Sequence, residues 1–127
     1  MKIERLYTHD LSSCCPDDSL TDAAERMRRA EISALAVIDD RAELVGIISE
    51  RDLARALADT IDPGTTTVAA YATDDVVLAD PDDDSAEVEA RMLDAGIRHM
   101  PVVSDGRLVG MVSMRDLLAV HQHTSAT

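Results

Sequence analysis

The sequence predicts a mixed α/β protein built from two tandem copies of one strand-helix-strand-strand-helix unit. Three observations predict it. Residues 44–53 (Leu-Val-Gly-Ile-Ile-Ser-Glu-Arg-Asp-Leu) recur at 108–117 (Leu-Val-Gly-Met-Val-Ser-Met-Arg-Asp-Leu), with seven of ten positions identical at an offset of 64. The match continues upstream at an offset of 65: 32–38 against 97–103, Arg26-Met27 against Arg91-Met92, and Pro16-Asp17-Asp18 against Pro81-Asp82-Asp83. Each copy also switches between helix-period and strand-period apolar patterns in the same order. The offset changes by one because 39–43 in the first copy becomes 104–107 in the second.

In chain order, residues 1–10 form an arm in which Ile3, Leu6 and Tyr7 are spaced for one face of a short helix. Residues 11–15 read as a short strand ended by Pro16. A helix opens at Asp18-Ser19, where Ser19 and Asp22 make an Asp-ended capping box. Its apolar stripe is Leu20, Ala23, Ala24, Met27 and Ala30, with Arg26, Arg28 and Arg29 outside it. Residues 34–38 and 44–48 are hairpin partners around a polar turn at 39–43, and Ser49 caps a second helix running to about residue 58. Residues 59–67, with Pro63-Gly64 and three threonines, connect the copies.

The second copy repeats the plan. Residues 68–71 mirror the arm, 76–79 are a strand, and 80–84 an acidic turn. A helix follows over 84–95, with Glu87 at its third position and Gly96 as its stop. Strands 100–103 and 108–112 pair around Asp105-Gly106, a turn pair suited to a tight hairpin. The last helix runs from Ser113 to about Gln122, and 123–127 is expected to fray. The domain boundaries expected are 1–60 for the first repeat with its arm, 61–70 for the linker and 71–127 for the second repeat.

Composition narrows the function. At 127 residues the chain has the length of one domain, and a unit of about 60 residues buries only about 60% of its unfolded surface alone. The copies are therefore expected to pack together. The core must be aliphatic, because the only aromatics are Tyr7 and Tyr71. The net charge of −13 comes from 18 Asp and 7 Glu against 11 Arg and a single Lys2. This Asp-rich, Lys-poor balance resembles proteins of salt-loving organisms, in which short carboxylates keep the surface hydrated and salt screens their repulsion; an ordinary acidic cytosolic protein is the alternative. Either way it disfavours nucleic acid as a partner. Cys14 and Cys15 are adjacent, so a bridge between them would be strained, and they read as two small residues on a buried strand. With no signal peptide or long apolar run, the expectation is a soluble, cytoplasmic protein that does not meet a membrane.

In each repeated motif a strand ends, a Ser begins a helix, and an Asp follows three residues on: Ser49 and Asp52, then Ser113 and Asp116. Two readings share this geometry. In one, the pair is a capping box in which Ser satisfies a helix N–H and Asp faces the positive end of the helix dipole. In the other, the free N–H groups attract an anion and the carboxylate grips two vicinal hydroxyls.

The Pro-Asp-Asp helix entry, the hairpin and the Gly-x-x-Ser-x-Arg-Asp ending each occur twice. Through them almost the whole chain resembles a tandem pair of cystathionine β-synthase (CBS) domains, a Bateman module. The resemblance implies two βαββα repeats packed as a pseudo-two-fold pair. It also implies an adenosine-containing regulatory ligand (AMP, ADP, ATP or S-adenosylmethionine) rather than a cofactor. By the same resemblance Asp52 and Asp116 hold the ribose, and Ser49 and Ser113 contact ribose or phosphate. The adenine slot is walled by Ala34 and Ala36 in the first copy and by His99 and Pro101 in the second. The segments entering each unit supply another wall, with Cys14 and Leu78 as candidates. The first slot has smaller residues than the second, so unequal affinities are expected. Phosphates would need Arg51 and Arg115, beside the ribose acids, with Arg98 and His99 next; if these point away, a weakly charged ligand is favoured.

Catalysis has no support in the sequence: no nucleophile–base pairing, zinc motif or phosphate-binding loop is present. His121 and His123 do not share a helix face, and the runs Asp39-Asp40, Asp74-Asp75 and 82–84 lack convergent metal-ligand spacing. The expectation is a stand-alone, non-enzymatic regulatory module without metal. It would signal to an effector protein and form a homodimer through the helices that start near Ser49 and Ser113. The alternative is a ligand-free scaffold whose Ser-x-x-Asp motifs are only caps.

Overall fold

The computed structural model describes residues 1–6, 13–74 and 76–125, and the side chains of all of these but Arg5 and 121–125. Expectations for Tyr7, Leu11, Asp75, the histidine side chains at 121 and 123, and the last two residues lie outside that set. The chain forms two compact units, one of Ser12–Val76 and one of Met1–Leu11 with Val77–Thr127. No helix among the described residues is long and apolar enough to cross a membrane.

The first unit holds strand β1 (Ser13–Cys14), helix α1 (Leu20–Ala30), strands β2 (Ala34–Ile38) and β3 (Leu44–Ser49), and helix α2 (Glu50–Ala58). β1 runs parallel to β2, and β2 antiparallel to β3, giving the order β1-β2-β3. Ser19 caps α1 as expected, its side chain accepting from Asp22 N at 3.1 Å. The buried stripe of α1 is narrower than its sequence pattern: Leu20, Ala23 and Met27 are buried, while Ala24 and Ala30 are exposed. The core is Cys14, Leu20, Ala23, Met27, Leu35, Val37, Ile48, Ala56 and Val68. Val68 enters from a short 3-10 turn, Val68–Ala70, that returns beside α1 through Val68 N to Asp18 O at 2.7 Å. Thr73 then pairs with Ile47, its N–H and C=O both bonded, at 2.8 and 2.9 Å. This edge contact requires glycine at 46, where a Cβ would lie 2.7 Å from the Thr73 carbonyl oxygen.

The second unit holds helix α3 (Ser85–Ala95), strands β4 (His99–Ser104) and β5 (Arg107–Ser113), and helix α4 (Met114–Ser125). Asp105 and Gly106 both have positive φ, 53° and 79°, which gives β4 and β5 the tight turn that the Asp-Gly pair signals. α4 runs three residues beyond the expected end near Gln122. The strand expected at 76–79 shrinks to one parallel bridge, Ala79 with Val102. Ala79 N donates to Pro101 O at 2.9 Å and Ala79 O accepts from Val103 N at 2.8 Å. The next rung of such a ladder would need an N–H at position 101, and proline has none. The core here is Ile3, Ala79, Val88, Met92, Met100, Val102, Val112 and Leu117.

Ile3 reaches that core from a 3-10 turn, Ile3–Arg5, through Ile3 N to Asp83 O at 3.0 Å and Ser85 N to Met1 O at 2.7 Å. The compact units therefore differ from the boundaries in chain order. The segment at the head of the first repeat packs with the second repeat, and the 3-10 turn at 68–70 packs with the first. The physical reason is that each short turn buries one aliphatic side chain, Ile3 or Val68, fully against an α-helix and sheet.

Candidate functional site

In the first unit β3 ends at Ser49 and α2 starts at once, so the motif sits at a strand-to-helix corner. Asp52 Oδ2 accepts from Ser49 N at 2.9 Å and from Ser49 Oγ at 3.0 Å, and Ser49 Oγ accepts from Asp52 N at 3.3 Å. This is a complete capping box. The other carboxylate oxygen, Oδ1, accepts from Arg55 Nη2 at 2.9 Å. Asp52 is only 5% exposed. The Arg55 guanidinium also donates to Tyr71 O at 3.1 Å, and Tyr71 OH donates to Asp59 Oδ2 at 2.7 Å. That last bond holds the phenol above its ordinary pKa, since deprotonation would set two negative oxygens together.

The corner in the second unit is the same in kind and looser in detail. Asp116 Oδ2 accepts from Ser113 N at 3.3 Å, and Ser113 Oγ accepts from Asp116 N at 3.1 Å. The position equivalent to Arg55 is Ala119. Asp116 is half-buried and forms no ion pair among the described residues, so its second oxygen is uncommitted there. At both corners the first helical N–H is already taken: Glu50 N by Ser33 O at 3.0 Å, and Met114 N by Arg98 O at 2.8 Å. Arg51 and Arg115 are exposed and without an ion-pair partner among the described residues.

Strand register sorts the expected wall residues. Ala34 pairs with Ser49, Ala36 with Ile47 and Ser13 with Ala36, so Ser13, Ala34, Ala36, Ile47 and Ser49 share one sheet face. Leu35, Val37 and Cys14 take the opposite face and enter the core. In the second unit His99 pairs with Ser113 and Pro101 with Met111, giving the corresponding face, while Met100 and Val102 go to the core. Leu78 is 42% exposed, next to the core residue Ala79.

The family model for the CBS domain matches the chain twice, at residues 3–59 and 68–123. The chain belongs to the CBS domain family. An uncharacterized 17.7 kDa protein of Acidianus ambivalens is 35% identical over 118 residues, covering 91% of this chain and 70% of that protein. Inosine-5′-monophosphate dehydrogenase of Methanocaldococcus jannaschii is 32% identical over 126 residues, 98% of this chain but only 24% of that enzyme. Among solved structures, a CBS domain pair in complex with 5′-methylthioadenosine and S-adenosyl-L-methionine superposes with a TM-score of 0.91 at 26% identity, covering 98% of each chain.

Within these CBS repeats one expectation changes, that Cys14 walls the slot. Cys14 is a core residue, 1% exposed, and its thiol is pushed up to about 12 by burial and by the nearby Asp18 carboxylate. Its neighbour Ser13 is the residue on the Ala36 face, and Ser13 is the true counterpart of Leu78 at an offset of 65. A shift of one residue along a strand exchanges the two faces, which is why Cys14 and Leu78 cannot play equivalent parts.

Sequence reading also missed a positioning pair. Asp18 Oδ2 accepts from Arg26 Nη1 and from Cys15 N, both at 2.8 Å, and Arg26 Nη1 also donates to Ser13 O at 3.1 Å. Asp83 Oδ2 accepts from Arg91 Nη2 at 2.7 Å and from Asp80 N at 2.9 Å, and Arg91 Nη1 donates to Leu78 O at 3.0 Å. The Cys15 N–H, helped by Arg26, holds the Asp18 carboxyl below its usual range. Each pair thus ties the segment entering a repeat to the following helix. The signal was present: the matched Pro-Asp-Asp and Arg-Met pairs keep a separation of eight residues between Asp and Arg in both copies.

Proposed function

We propose that the protein binds an adenosine-containing small molecule at its strand-to-helix corners and thereby regulates an effector protein. In this reading Asp52 and Asp116 are the ribose acceptors, Ser49 and Ser113 support them, and Ala34, Ala36, His99 and Pro101 line the base. Ser13 and Leu78 complete the walls. The observation that carries it is Asp116: a half-buried carboxylate beside the His99–Pro101 strand face, with one oxygen unspent among the described residues. Such an oxygen can accept from a donor, and a ribose hydroxyl supplies one. The solved relative with 5′-methylthioadenosine and S-adenosyl-L-methionine supports this class of ligand.

Charge supports the weakly charged members of the class. The first and third N–H groups of α2 and α4 are spent on Ser33, Arg98 and the two cap hydroxyls, which leaves few to hold a phosphate. The chain carries −13 overall, which repels a polyphosphate. S-adenosylmethionine or a neutral thioether nucleoside should therefore bind more tightly than AMP, and AMP more tightly than ATP; Arg51 and Arg115 are the side chains that would narrow the gap. The test is thermal unfolding with each compound in turn, in molar KCl for binding itself and again at low salt, where the charge ordering is least screened. Ligand at about 100 times its dissociation constant adds about 2.7 kcal/mol, and the shift should disappear in the double variant Asp52→Ala, Asp116→Ala. No shift with any adenosine compound would favour a scaffold, a reading for which the complete Ser49–Asp52 capping box speaks.

The proposal extends to location and assembly. Cys14 and Cys15 are both free thiols, which suits a reducing cytoplasm. Leu57 on α2 and Leu118 on α4 are 67% and 46% exposed, and a homodimer through those helices would cover them. Sedimentation of Leu57→Glu and Leu118→Glu against the unaltered protein tests that assembly.

A further inference from the structure

The two corners are built from nearly the same residues and are not equally available. The difference is Arg55. It stands one helical turn beyond Asp52 and places Nη2 2.9 Å from Oδ1, the oxygen that the capping box leaves over. The same nitrogen donates to Tyr71 O at 3.1 Å, and Tyr71 is itself tied to Asp59, so the guanidinium is held at a second point besides the carboxylate. Asp52 ends 5% exposed with both oxygens engaged. In the second repeat Ala119 stands where Arg55 stands in the first, and Asp116 is half-buried with a single carboxylate oxygen engaged among the described residues.

The geometry points to Arg55 as an internal plug that occupies the ribose acceptor of the first repeat, leaving the second repeat as the site that takes ligand first. This rests on the adenosine-binding reading above and adds which repeat is open and which residue decides it. A ribose diol reaching Asp52 has to displace a charge-assisted hydrogen bond, whereas the same diol reaching Asp116 meets an unspent oxygen. Arg55 is thus a specificity-determining residue that selects between the repeats. The selection opposes the one expected from slot size, in which the small residues Ala34 and Ala36 favour the first repeat. It also gives a chain with two copies of the motif one ready site and one latched site. The latch is joined to the segment following the inter-repeat linker through the Tyr71 carbonyl.

S-adenosyl-L-methionine and 5′-methylthioadenosine are the probes, and isothermal titration is the measurement. The unaltered protein should show its tighter site lost in Asp116→Ala and retained in Asp52→Ala. Asp116→Ala then isolates the first repeat, and adding Arg55→Ala in that background should tighten binding about fivefold, the upper range for a pair whose Arg is largely solvated. The reciprocal change, Ala119→Arg in the unaltered chain, should weaken the second repeat. Circular dichroism on each variant confirms that it is folded, and the Arg55→Lys variant, which keeps charge but loses the planar fork, should fall between Arg55 and Ala. If Asp52→Ala removes the tighter site, or if Arg55→Ala leaves the first repeat unchanged or weaker, the plug is overturned while adenosine binding stands. If neither these two compounds nor AMP, ADP or ATP binds the unaltered protein or any variant, the adenosine reading fails and the plug fails with it.

Discussion

Removing the motif carboxylates one at a time should destabilise the two repeats unequally. In Asp52→Ala, Ser49 N and Ser49 Oγ lose a shared acceptor at a site only 5% exposed, and the Arg55 contact is lost. Loss of a cap costs about 1 kcal/mol, and leaving the part-buried Ser49 N–H unpaired adds about 1–2 kcal/mol. The ion pair itself adds little, because Arg55 is 59% exposed and solvated. The total is about 2–3 kcal/mol. In Asp116→Ala one bond of 3.3 Å is lost from a half-buried corner that water can reach, so about 1 kcal/mol is expected. For a chain of this size each kcal/mol moves the melting temperature by about 3–5 °C. Urea unfolding without ligand, repeated with S-adenosyl-L-methionine, measures both effects. The expected pattern is crossed: Asp52→Ala loses more intrinsic stability, and Asp116→Ala loses more of the ligand-dependent increment. Equal intrinsic losses, or a larger loss for Asp116→Ala, would refute the structural inequality on which the argument depends.

Three further outcomes follow from the geometry. Gly46→Ala should destabilise by about 1–3 kcal/mol in urea unfolding, because its Cβ meets the Thr73 carbonyl oxygen at 2.7 Å and backbone must move; a neutral result would mean that the Ile47–Thr73 contact is not held in solution. The Asp18 carboxyl is held below its ordinary value, so its contribution to stability is complete above the unfolded pKa of about 3.9 and is lost as pH falls through the lower folded value. Asp18→Asn should therefore be less stable at neutral pH and approach the unaltered protein at the acid end, and parallel stability curves from about pH 3 to pH 6 would contradict the Asp18–Arg26 arrangement. Iodoacetamide at neutral pH should label Cys15, which is exposed, and spare Cys14, whose thiol is buried and pushed up to about 12; mass spectrometry showing Cys14 labelled as fast as Cys15 in folded protein would contradict the core position.

Much of the candidate site was legible because its parts are local. Ser49 and Asp52, or Ser113 and Asp116, lie three residues apart on one chain, and their cap needs only a strand end and one helical turn. Duplication then separated a repeated motif from chance. Arg55 was not singled out in the sequence, because nothing in its spacing says whether it turns to solvent or back to Asp52. The Asp18–Arg26 and Asp83–Arg91 pairs were visible as matched positions, yet their targets, the carbonyls of Ser13 and Leu78, are on a different element.

By itself the sequence determined the duplication, the order of strands and helices, the caps at Ser19, Ser49 and Ser113, and the Asp105-Gly106 turn. These depend on periodicity and on hydrogen bonds that close within a few residues. Tertiary structure alone decided that Ser13 and not Cys14 shares the Ala36 face, since the face of a two-residue strand depends on the register its partner imposes. It decided that the 76–79 strand contracts to Ala79, since the missing donor is Pro101 on another strand. It also decided that Ile3 packs with the second repeat and Val68 with the first. A lone aliphatic residue on a short turn carries no mark of which core will bury it; the sheet and helix that close over it make that choice.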